Sequence, residues 1–236
     1  MSDKPNRYLR FDRWERIEHG LLIVSFTVLT ISGIPQKWPD SFWGNAMIQM
    51  MGGIEWTRII HHTAAVILIL EALYHLIAVT YRILVLRWPL TMMPTWRDAK
   101  NAAQALAYNM GRAFEPPRMG RYTFGEKLEY WAVIWGTAIM IITGFVLWNP
   151  IVIAQNFPGQ LIPAAKAAHG GEALLAMLSI ITWHLFNVHI KHFNRSMFTG
   201  YLDRHVMEEE HAQELEALES TRPDRQVPDP GLRRRK

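Results

Sequence analysis

Histidines are the residues of this sequence whose type and spacing could bind a metal. Ten of the 236 residues are His, and six of them fall within or at the edges of long apolar stretches. These six are His19, His61, His62, His75, His169 and His184. Ionisable side chains inside apolar membrane segments are costly and mark functional sites. Since imidazole nitrogens bind haem iron and other metals, metal or haem ligation is the chemistry that they suggest.

The spacing of the histidines sorts them into two layers. His75 follows His61 by 14 residues, and His184 follows His169 by 15 residues. In an α-helix these spacings span about 21–22 Å and return to within about 40–60° of the same face. His19 begins the first apolar stretch at the level of His184. Two layers of His on facing helices suit two bis-imidazole haems stacked across a membrane.

Four apolar stretches predict the helices that position these histidines. They cover about residues 17–36, 59–86, 128–148 and 167–193. A helix needs about 20 mostly apolar residues to cross a bilayer. The third stretch is apolar on all sides, which is atypical of a soluble helical bundle. We therefore expect an all-α integral membrane protein, a bundle of four transmembrane helices that holds two b haems.

The basic residues predict how these helices are oriented. Lys and Arg concentrate before the first helix, between the second and third helices and after the fourth helix, whereas the other two loops carry few. Cytoplasmic loops carry the excess of Lys and Arg, so both termini are predicted to face the cytoplasm. The basic termini are interpreted as contacting the cytoplasmic leaflet and not nucleic acid.

Three parts follow from this pattern. Residues 1–16 form a basic cytoplasmic arm, 17–200 form the four-helix di-haem cytochrome b domain, and 201–236 form a charged cytoplasmic helix with a disordered tail. Between the second and third membrane helices, residues 95–111 predict a short surface helix. Thr95 and Asp98 have the spacing of a capping box, and Gly111 ends the helix.

Several functions are disfavoured by what the sequence lacks. It has no cysteine, which excludes disulfides, iron–sulfur clusters held by this chain and covalently attached haem. It also has no P-loop, dinucleotide-binding or serine-nucleophile motif. A stand-alone reductase with its own flavin or nicotinamide site is therefore disfavoured, and electrons would come from a partner.

The order of several short motifs resembles the membrane cytochrome b (gamma) subunit of respiratory formate dehydrogenases. A more distant resemblance is to the cytochrome b subunit of nickel–iron hydrogenases. The matching pieces are Asp12-Arg13 through His19, Ser32-Gly33, Arg58 through His61, Gly120 through Lys127, Thr143-Gly144, Trp148, His169 and His184.

The resemblance implies a bacterial inner-membrane subunit with two haem b groups. His61 and His169 would bind the outer haem, and His19 and His184 would bind the inner haem. Arg58 lies one turn before His61, where it could hold a haem propionate or act as an interfacial charge.

The resemblance also implies an electron-transfer and quinone-reducing role in a membrane oxidoreductase complex. Electrons would arrive at the outer face from an iron–sulfur or multihaem c-type subunit that serves a catalytic dehydrogenase subunit. They would cross to menaquinone or ubiquinone, which would lie by the inner haem near Thr123, Gly125 and His184.

Two departures leave alternatives open. The spacing of the fourth-helix histidines is one residue longer than in the family, and Thr123 replaces an Asn. His75 shares the face and depth of the inner layer. A second arrangement would therefore place both haems between helices two and four, with His61 and His169 on one haem and His75 and His184 on the other, as in quinol-oxidising cytochromes b.

Other functions use the same residues. The chain could be a haem-less or single-haem membrane anchor, or a quinol-oxidising cytochrome b in which electrons flow in reverse. A metal transporter would also use intramembrane His, with Asp or Glu nearby, and only Glu71 and Glu172 are available for that role.

Overall fold

The structure, a computed structural model, describes residues 6–191 and 193–221. The start of the predicted basic arm, His192 and nearly all of the predicted disordered tail lie outside the described residues. In chain order the elements are β1 (Arg7–Leu9), α1 (Arg13–Lys37), α2 (Phe42–Met50), α3 (Ile54–Leu84), α4 (Trp96–Asn109), α5 (Phe124–Trp148), α6 (Pro150–Asn156), α7 (Leu161–Ser179), two π-helical segments (Ile180–His184 and Phe186–Lys191), α8 (Ser196–Thr199), β2 (Tyr201–Asp203), α9 (Arg204–Glu210) and α10 (Ala212–Thr221).

Within the described part of the chain, four helices are long and apolar enough to cross a membrane. They are α1, α3, α5 and the continuous helix Leu161–Lys191, which joins α7 to the two π-helical segments. At most 11% of the most apolar window of each helix is buried within the described chain. Such broad apolar surfaces are suited to lipid or to other membrane helices. The prediction of an all-α protein with four membrane helices is confirmed at this level.

The chain divides into two compact units. The first, here called the membrane unit, comprises residues 14–89 and 130–193. The second, here called the polar unit, comprises residues 1–13, 90–129 and 194–236, of which the described part begins at residue 6 and ends at residue 221.

Helices α1 and α3 run antiparallel within the membrane unit. Near one end, Arg82 pairs with Glu15 at 3.2 Å, and near the other, the Ser32 hydroxyl lies 3.0 Å from the His61 ring. Ser32 is fully buried at this contact, and Ala64 of α3 is also buried. Small side chains let membrane helices approach closely, so this contact holds the two helices in a fixed register.

A glycine pair reverses the chain before α3. Gly52 and Gly53 have φ angles of 93° and 96°, a region that L side chains rarely adopt. Gly53 is the N-cap of α3 and accepts hydrogen bonds from the backbone and hydroxyl of Thr57. The turn places His61 two turns into α3.

The polar unit brings together segments from both ends of the chain. Strands β1 and β2 pair antiparallel, with Arg7 opposite Asp203. Beside them, apolar side chains of β2, α9 and α10 form a small core. Its buried members are Leu202, Val206, Met207 and Leu215.

A buried arginine ties the polar unit together. The Arg10 guanidinium is 2% exposed and donates to Glu214 at 2.9 Å and to Glu126 at 3.1 Å. Arg121 donates to the same Glu214 at 2.9 Å and to the Arg10 carbonyl. Two carboxylates therefore compensate the charge of Arg10, which the sequence analysis assigned to the basic cytoplasmic arm.

The surface helix predicted between the second and third membrane helices is confirmed as α4. The Asp98 carboxylate accepts a hydrogen bond from the Thr95 N–H at 2.7 Å and contacts the Lys127 ammonium at 2.9 Å. Burial by itself would raise the pKa of Asp98, but the hydrogen bonds from Lys127 and Thr95 lower it below its usual value. Gly111, with φ of 71°, follows the helix end.

The charged stretch after residue 203 is helical, as predicted, but it is interrupted. Helices α9 and α10 meet at His211, whose side chain is 2% exposed and whose Nδ1 lies 3.0 Å from the Gly120 carbonyl. Burial, and next the nearby Arg10 guanidinium, lower the pKa of His211.

Candidate cofactor site: two facing histidine pairs

His61 and His169 form the first pair in the membrane unit. His61 is on α3 and His169 is on α7. Their ring centroids are 6.4 Å apart, and the ring planes make an angle of 68°. Two different helices therefore present one imidazole each to the same space.

His19 and His184 form the second pair. His19 is in the second turn of α1, and His184 ends the first π-helical segment. Their ring centroids are 6.2 Å apart, with an interplanar angle of 37°. Along α1, His19 precedes Gly33, the residue beside His61, by 14 residues, or about 21 Å of helix.

The separation within each pair fits two axial ligands of one metal. Two metal–imidazole bonds of about 2 Å each keep the nitrogens of two ligands of one metal within about 4 Å of each other. Ring centres 6.4 and 6.2 Å apart are close enough for each pair to share one metal ion. Two imidazoles on opposite sides of one iron are the axial ligands that a bis-His haem needs. The residues of both pairs thus fit haem iron.

A serine orients the His61 ring. Ser32 Oγ lies 2.6 Å from the Val28 carbonyl, to which it donates its hydrogen. Its oxygen can then accept a hydrogen bond from Nδ1–H of His61, which lies 3.0 Å away. With the proton on Nδ1, the lone pair of Nε2 is available to a metal.

A threonine plays the same part for the His169 ring. Thr143 Oγ1 donates to the Ile139 carbonyl at 2.6 Å and lies 2.9 Å from Nδ1 of His169. The first pair is therefore held by two hydroxyls, one from α1 and one from α5. Such partners fix both the tautomer and the ring orientation of a metal-binding His.

Glycines make room for the same two rings. A Cβ added at Gly33 would lie 2.9 Å from Cε1 of His61, and one added at Gly144 would lie 3.2 Å from Cε1 of His169. Both distances are shorter than ordinary van der Waals contact. Because neither glycine carries a side chain, each ring can lie directly against the neighbouring backbone.

A π-helical segment, Ile180–His184, ends at His184 on the helix that also carries His169. An uninterrupted α-helix would rotate His184 about 60° past the face of His169 over 15 residues. The i→i+5 hydrogen bonds of a π turn insert an extra residue into the helix and so change this rotation. The Leu185 N–H donates to the carbonyl of Ile180, the hydrogen bond that defines this turn. The extra residue noted in the sequence is accommodated here.

His75 lies outside both pairs. Its Nδ1 is 2.8 Å from Oε2 of Glu18, and its Nε2 is 3.0 Å from the Tyr130 hydroxyl. Both ring nitrogens thus have protein partners. Although His75 shares a helix face with His61, the structure places His19 opposite His184.

Two further residues at the level of His61 have other contacts. The His62 ring stacks on Trp148 with centroids 4.1 Å apart and an angle of 17°. Arg58 is exposed and pairs with Glu55 at 3.3 Å. The His62 ring is also 6.5 Å from the His61 ring, but these two are consecutive residues of one helix, whereas each facing pair joins two helices.

Thr123 and Gly125, the residues that the resemblance implies for quinone, belong to the polar unit. Thr123 Oγ1 accepts from the Glu126 N–H at 3.1 Å, and the Glu126 carboxylate accepts from the Thr123 N–H at 2.8 Å. This reciprocal pair is a capping box that starts α5, with Gly125 in the first turn.

Lys37 is a residue near His169 that the sequence interpretation did not single out. A Cβ at Gly170 would lie 2.6 Å from its Nζ, so the ammonium passes closely over α7 next to His169. Its only sequence signal was a positive charge at the end of the first apolar stretch. The contact depends on how α1 packs against α7.

Four membrane-length helices with two facing histidine pairs are the arrangement expected of a membrane cytochrome of the b type. The sequence profile of the prokaryotic cytochrome b561 family matches residues 10–200, and the chain belongs to that family. It is therefore a multi-pass bacterial membrane protein, and haem b and electron transport follow from the family.

The chain is similar to cytochrome subunits of formate dehydrogenases, as its motifs indicated. It is 19% identical over 197 residues to the cytochrome b556(Fdn) subunit of the nitrate-inducible formate dehydrogenase of Escherichia coli K12, covering 84% of this chain and 85% of that subunit. It is 25% identical over 178 residues to the cytochrome b556(fdo) subunit of the same organism, covering 75% and 77%. The cytochrome b556 subunit of Haemophilus influenzae Rd formate dehydrogenase is 20% identical over 196 residues, covering 83% and 77%.

Proposed function

We propose that this protein is the membrane cytochrome b subunit of a formate dehydrogenase-type complex that connects a catalytic partner to the quinone pool. The observation that carries the proposal is the presence of two histidine pairs, in each of which the two rings are close enough to bind one metal ion. The two pairs are about 21 Å apart along α1. Two such pairs at different depths supply ligands for two redox centres on one path across a membrane.

One haem b would be held by His61 and His169, and a second by His19 and His184. His19 is favoured over His75 because both nitrogens of His75 already contact Glu18 and Tyr130. When bound, the haems supply reversible one-electron oxidation and reduction.

The surrounding residues hold the ligands in place. In the tautomer with the proton on Nδ1, His61 and His169 would donate to Ser32 and Thr143, and the Nε2 atoms of both histidines would be free to bind a metal. Lys37, beside His169, supplies a positive charge that would stabilise a nearby carboxylate such as a haem propionate. We assign this role to Lys37 before Arg58, because Arg58 is exposed and paired with Glu55.

We further propose that both termini face the cytoplasm of a bacterium and that the membrane is the inner membrane. The basis is the concentration of Lys and Arg in the termini and in the segment between α3 and α5. The His61–His169 pair would then be nearer the outer face, where an iron–sulfur or c-type subunit of the partner delivers electrons. A quinone would accept them near the His19–His184 pair.

The first experiment is the dithionite-reduced minus oxidised spectrum of the purified chain, with haem counted by pyridine haemochrome per polypeptide. The expected result is b-type absorbance and two haems. One haem would mean that only one pair is occupied, and no haem would leave a plain membrane anchor. Reduction of the haems by formate in the complex, and by quinol in the isolated chain, distinguishes the two directions of electron flow.

A further inference from the structure

Helix α4 of the polar unit exposes its apolar side. Five apolar residues recur in it at spacings of three and four, which places them on one face of the helix. They are Trp96, Ala99, Ala103, Leu106 and the C-cap residue Met110, here called the apolar face. All five are exposed, Trp96 by 76%, Leu106 by 60% and Met110 by 50%. A helix of a water-soluble unit normally turns such a face toward the core.

The opposite side of α4 makes the contacts within the polar unit. The Asp98 carboxylate contacts the Lys127 ammonium at 2.9 Å, and the Gln104 amide donates to the Glu115 carbonyl at 3.2 Å. Asn101, which lies on the side of Asp98, is half-buried. The orientation of α4 is thus the reverse of that in a soluble domain, and the described part of the polar unit leaves the apolar face uncovered.

Exposed apolar side chains connect this face along the chain to a membrane helix. Residues 85–95 join the end of α3 to the start of α4. Large exposed apolar residues at the end of α3 and in this segment are Leu84, Val85, Leu86, Trp88, Leu90 and Met93. Since the end of a membrane-spanning helix lies at the bilayer surface, the chain begins this segment there. Leu, Met and Trp side chains are stabilised in the interfacial region of a bilayer.

The charges around α4 are mostly positive. Residues 96–114 contain three basic residues and one acidic residue, Asp98, whose charge Lys127 compensates. The basic residues are Arg97, Lys100 and Arg112, and all three are exposed. Helices that lie in a membrane surface combine an apolar face with Lys and Arg beside it, because the basic groups contact anionic headgroups.

We propose that α4 is an interfacial helix that attaches the polar unit to anionic phospholipid. Its apolar face would enter the leaflet at which α3 ends, and its basic residues would contact the phosphate groups. The face of a partner helix would also match spacings of three and four residues. The positive flank and the exposed apolar segment before α4 favour lipid. The proposal depends on the membrane helices and not on the assignment of haem ligands.

Fluorescence quenching tests which side of α4 contacts lipid. Because the sequence has no cysteine, Ala103→Cys or Tyr108→Cys provides a single site for an NBD fluorophore. Both positions are exposed, and they are about 140° apart around the helix. The full-length variants are reconstituted in nanodiscs of phosphatidylglycerol and phosphatidylcholine. We expect doxyl-labelled lipid to quench the label at position 103 and aqueous iodide to quench the label at position 108.

The other quenching patterns would overturn the proposal. Iodide quenching at both positions would place the apolar face in water. Quenching of position 103 by neither reagent would mean that a second copy of the chain, or another protein, covers the face. Lipid quenching at both positions would show that the two sides of α4 do not differ. Haem content equal to that of the wild type shows that each variant is folded.

A matched pair of variants tests the apolar face. Hydrogen exchange of residues 96–110 is measured in the same nanodiscs by mass spectrometry. We expect Leu106→Gln to lower the protection of this segment about tenfold, because it removes a large apolar side chain from the face. Tyr108→Gln makes a similar change on the other side and should leave the protection unchanged. Equal protection in Leu106→Gln and the wild type would contradict insertion of the face.

The charge of the lipid tests the basic residues. We expect α4 of the wild type to be more protected in nanodiscs that contain phosphatidylglycerol than in phosphatidylcholine alone. Lys100→Gln should reduce this gain about fivefold, since one basic residue near an anionic surface is lost. Lys100→Arg keeps the charge and should retain the gain. Equal protection of the wild type in the two lipids would overturn the proposal.

Discussion

The two histidine pairs are similar in width but are built differently. The rings of His61 and His169 are each held by a hydroxyl and lie against a glycine, on regular α-helices. The His19–His184 pair depends on the second turn of α1 and on a π-helical segment. The first pair is thus oriented by side-chain contacts at each ring, whereas the second is aligned by the register of the helix that carries it.

The same arrangement of two facing imidazoles is therefore reached in two ways. Hydroxyls and glycines correct the orientation of a ring that is already on the right face. A π turn changes the face of the helix on which a later residue lies, and it interrupts the regular α-helical hydrogen bonding. Substitutions around the first pair should therefore act on one haem only, and each of the following experiments tests that separation.

Removing a ligand should have the largest effect. We expect His61→Ala and His184→Ala each to lose one of two haems, because one axial nitrogen of one pair is gone. His75→Ala is the matched control, since it removes a membrane His with partners of its own, and it should retain both haems. Haem per polypeptide is measured by pyridine haemochrome. Loss of haem from His75→Ala with full retention in His19→Ala would reverse the ligand assignment.

Filling the glycine space should have the next largest effect. Gly33→Ala places a Cβ 2.9 Å from the His61 ring, an overlap whose relief costs about 1–3 kcal/mol. We expect lower occupancy or a shifted potential for the haem of the first pair, measured by redox titration, with an unchanged second haem. Gly20→Ala is the control, because a Cβ there meets no atom within 4 Å. Identical titrations of both variants would contradict a role for Gly33 in making room for the ring.

Removing a hydroxyl should have a smaller effect. We expect Ser32→Ala or Thr143→Val to weaken retention of one haem by about tenfold or less, because a net hydrogen bond contributes about 1 kcal/mol. Thr63→Val on α3 is matched to them, since its hydroxyl contacts the Ile59 carbonyl and no histidine. Haem retention is followed during incubation with apomyoglobin as an acceptor. Equal loss from Thr63→Val would show that the hydroxyls do not hold the rings.

The smallest effect concerns a buried histidine outside the membrane unit. The pKa of His211 is lowered in the folded protein, so His211 is neutral there and gains a proton more readily when unfolded. Its contribution to stability is complete above its unfolded pKa of about 6.5 and is lost as the pH falls below that value. After correction for the intrinsic exchange rate, which itself falls with pH, the protection of the β1 and β2 amides from hydrogen exchange should therefore decrease on acidification, while both haems stay bound.

His211→Asn removes this titration and retains a side-chain donor. We expect its amide exchange between about pH 6.5 and 5 to depend less on pH than that of the wild type. An equally steep dependence in the variant would assign the acid sensitivity to other groups, such as the carboxylates around Arg10.

Much of the fold could be predicted because its signals are local. A run of about 20 apolar residues predicts a membrane helix whatever its neighbours are. The capping box of α4 could be predicted from Thr95 and Asp98 because both partners are in one turn. The burial of Arg10 could not, since its partners Glu126 and Glu214 are more than 100 residues away in the chain.

The sequence by itself determined the four membrane helices and the two depths of histidine, because hydrophobic length and helical rise depend on residues near one another in the chain. Only the tertiary structure decided which histidines face each other. His19 and His75 have equivalent depths in the sequence, but Glu18 and Tyr130 contact the ring of His75, whereas the ring of His19 lies 6.2 Å from that of His184. Such choices depend on contacts between helices, which residue spacing along one helix does not specify.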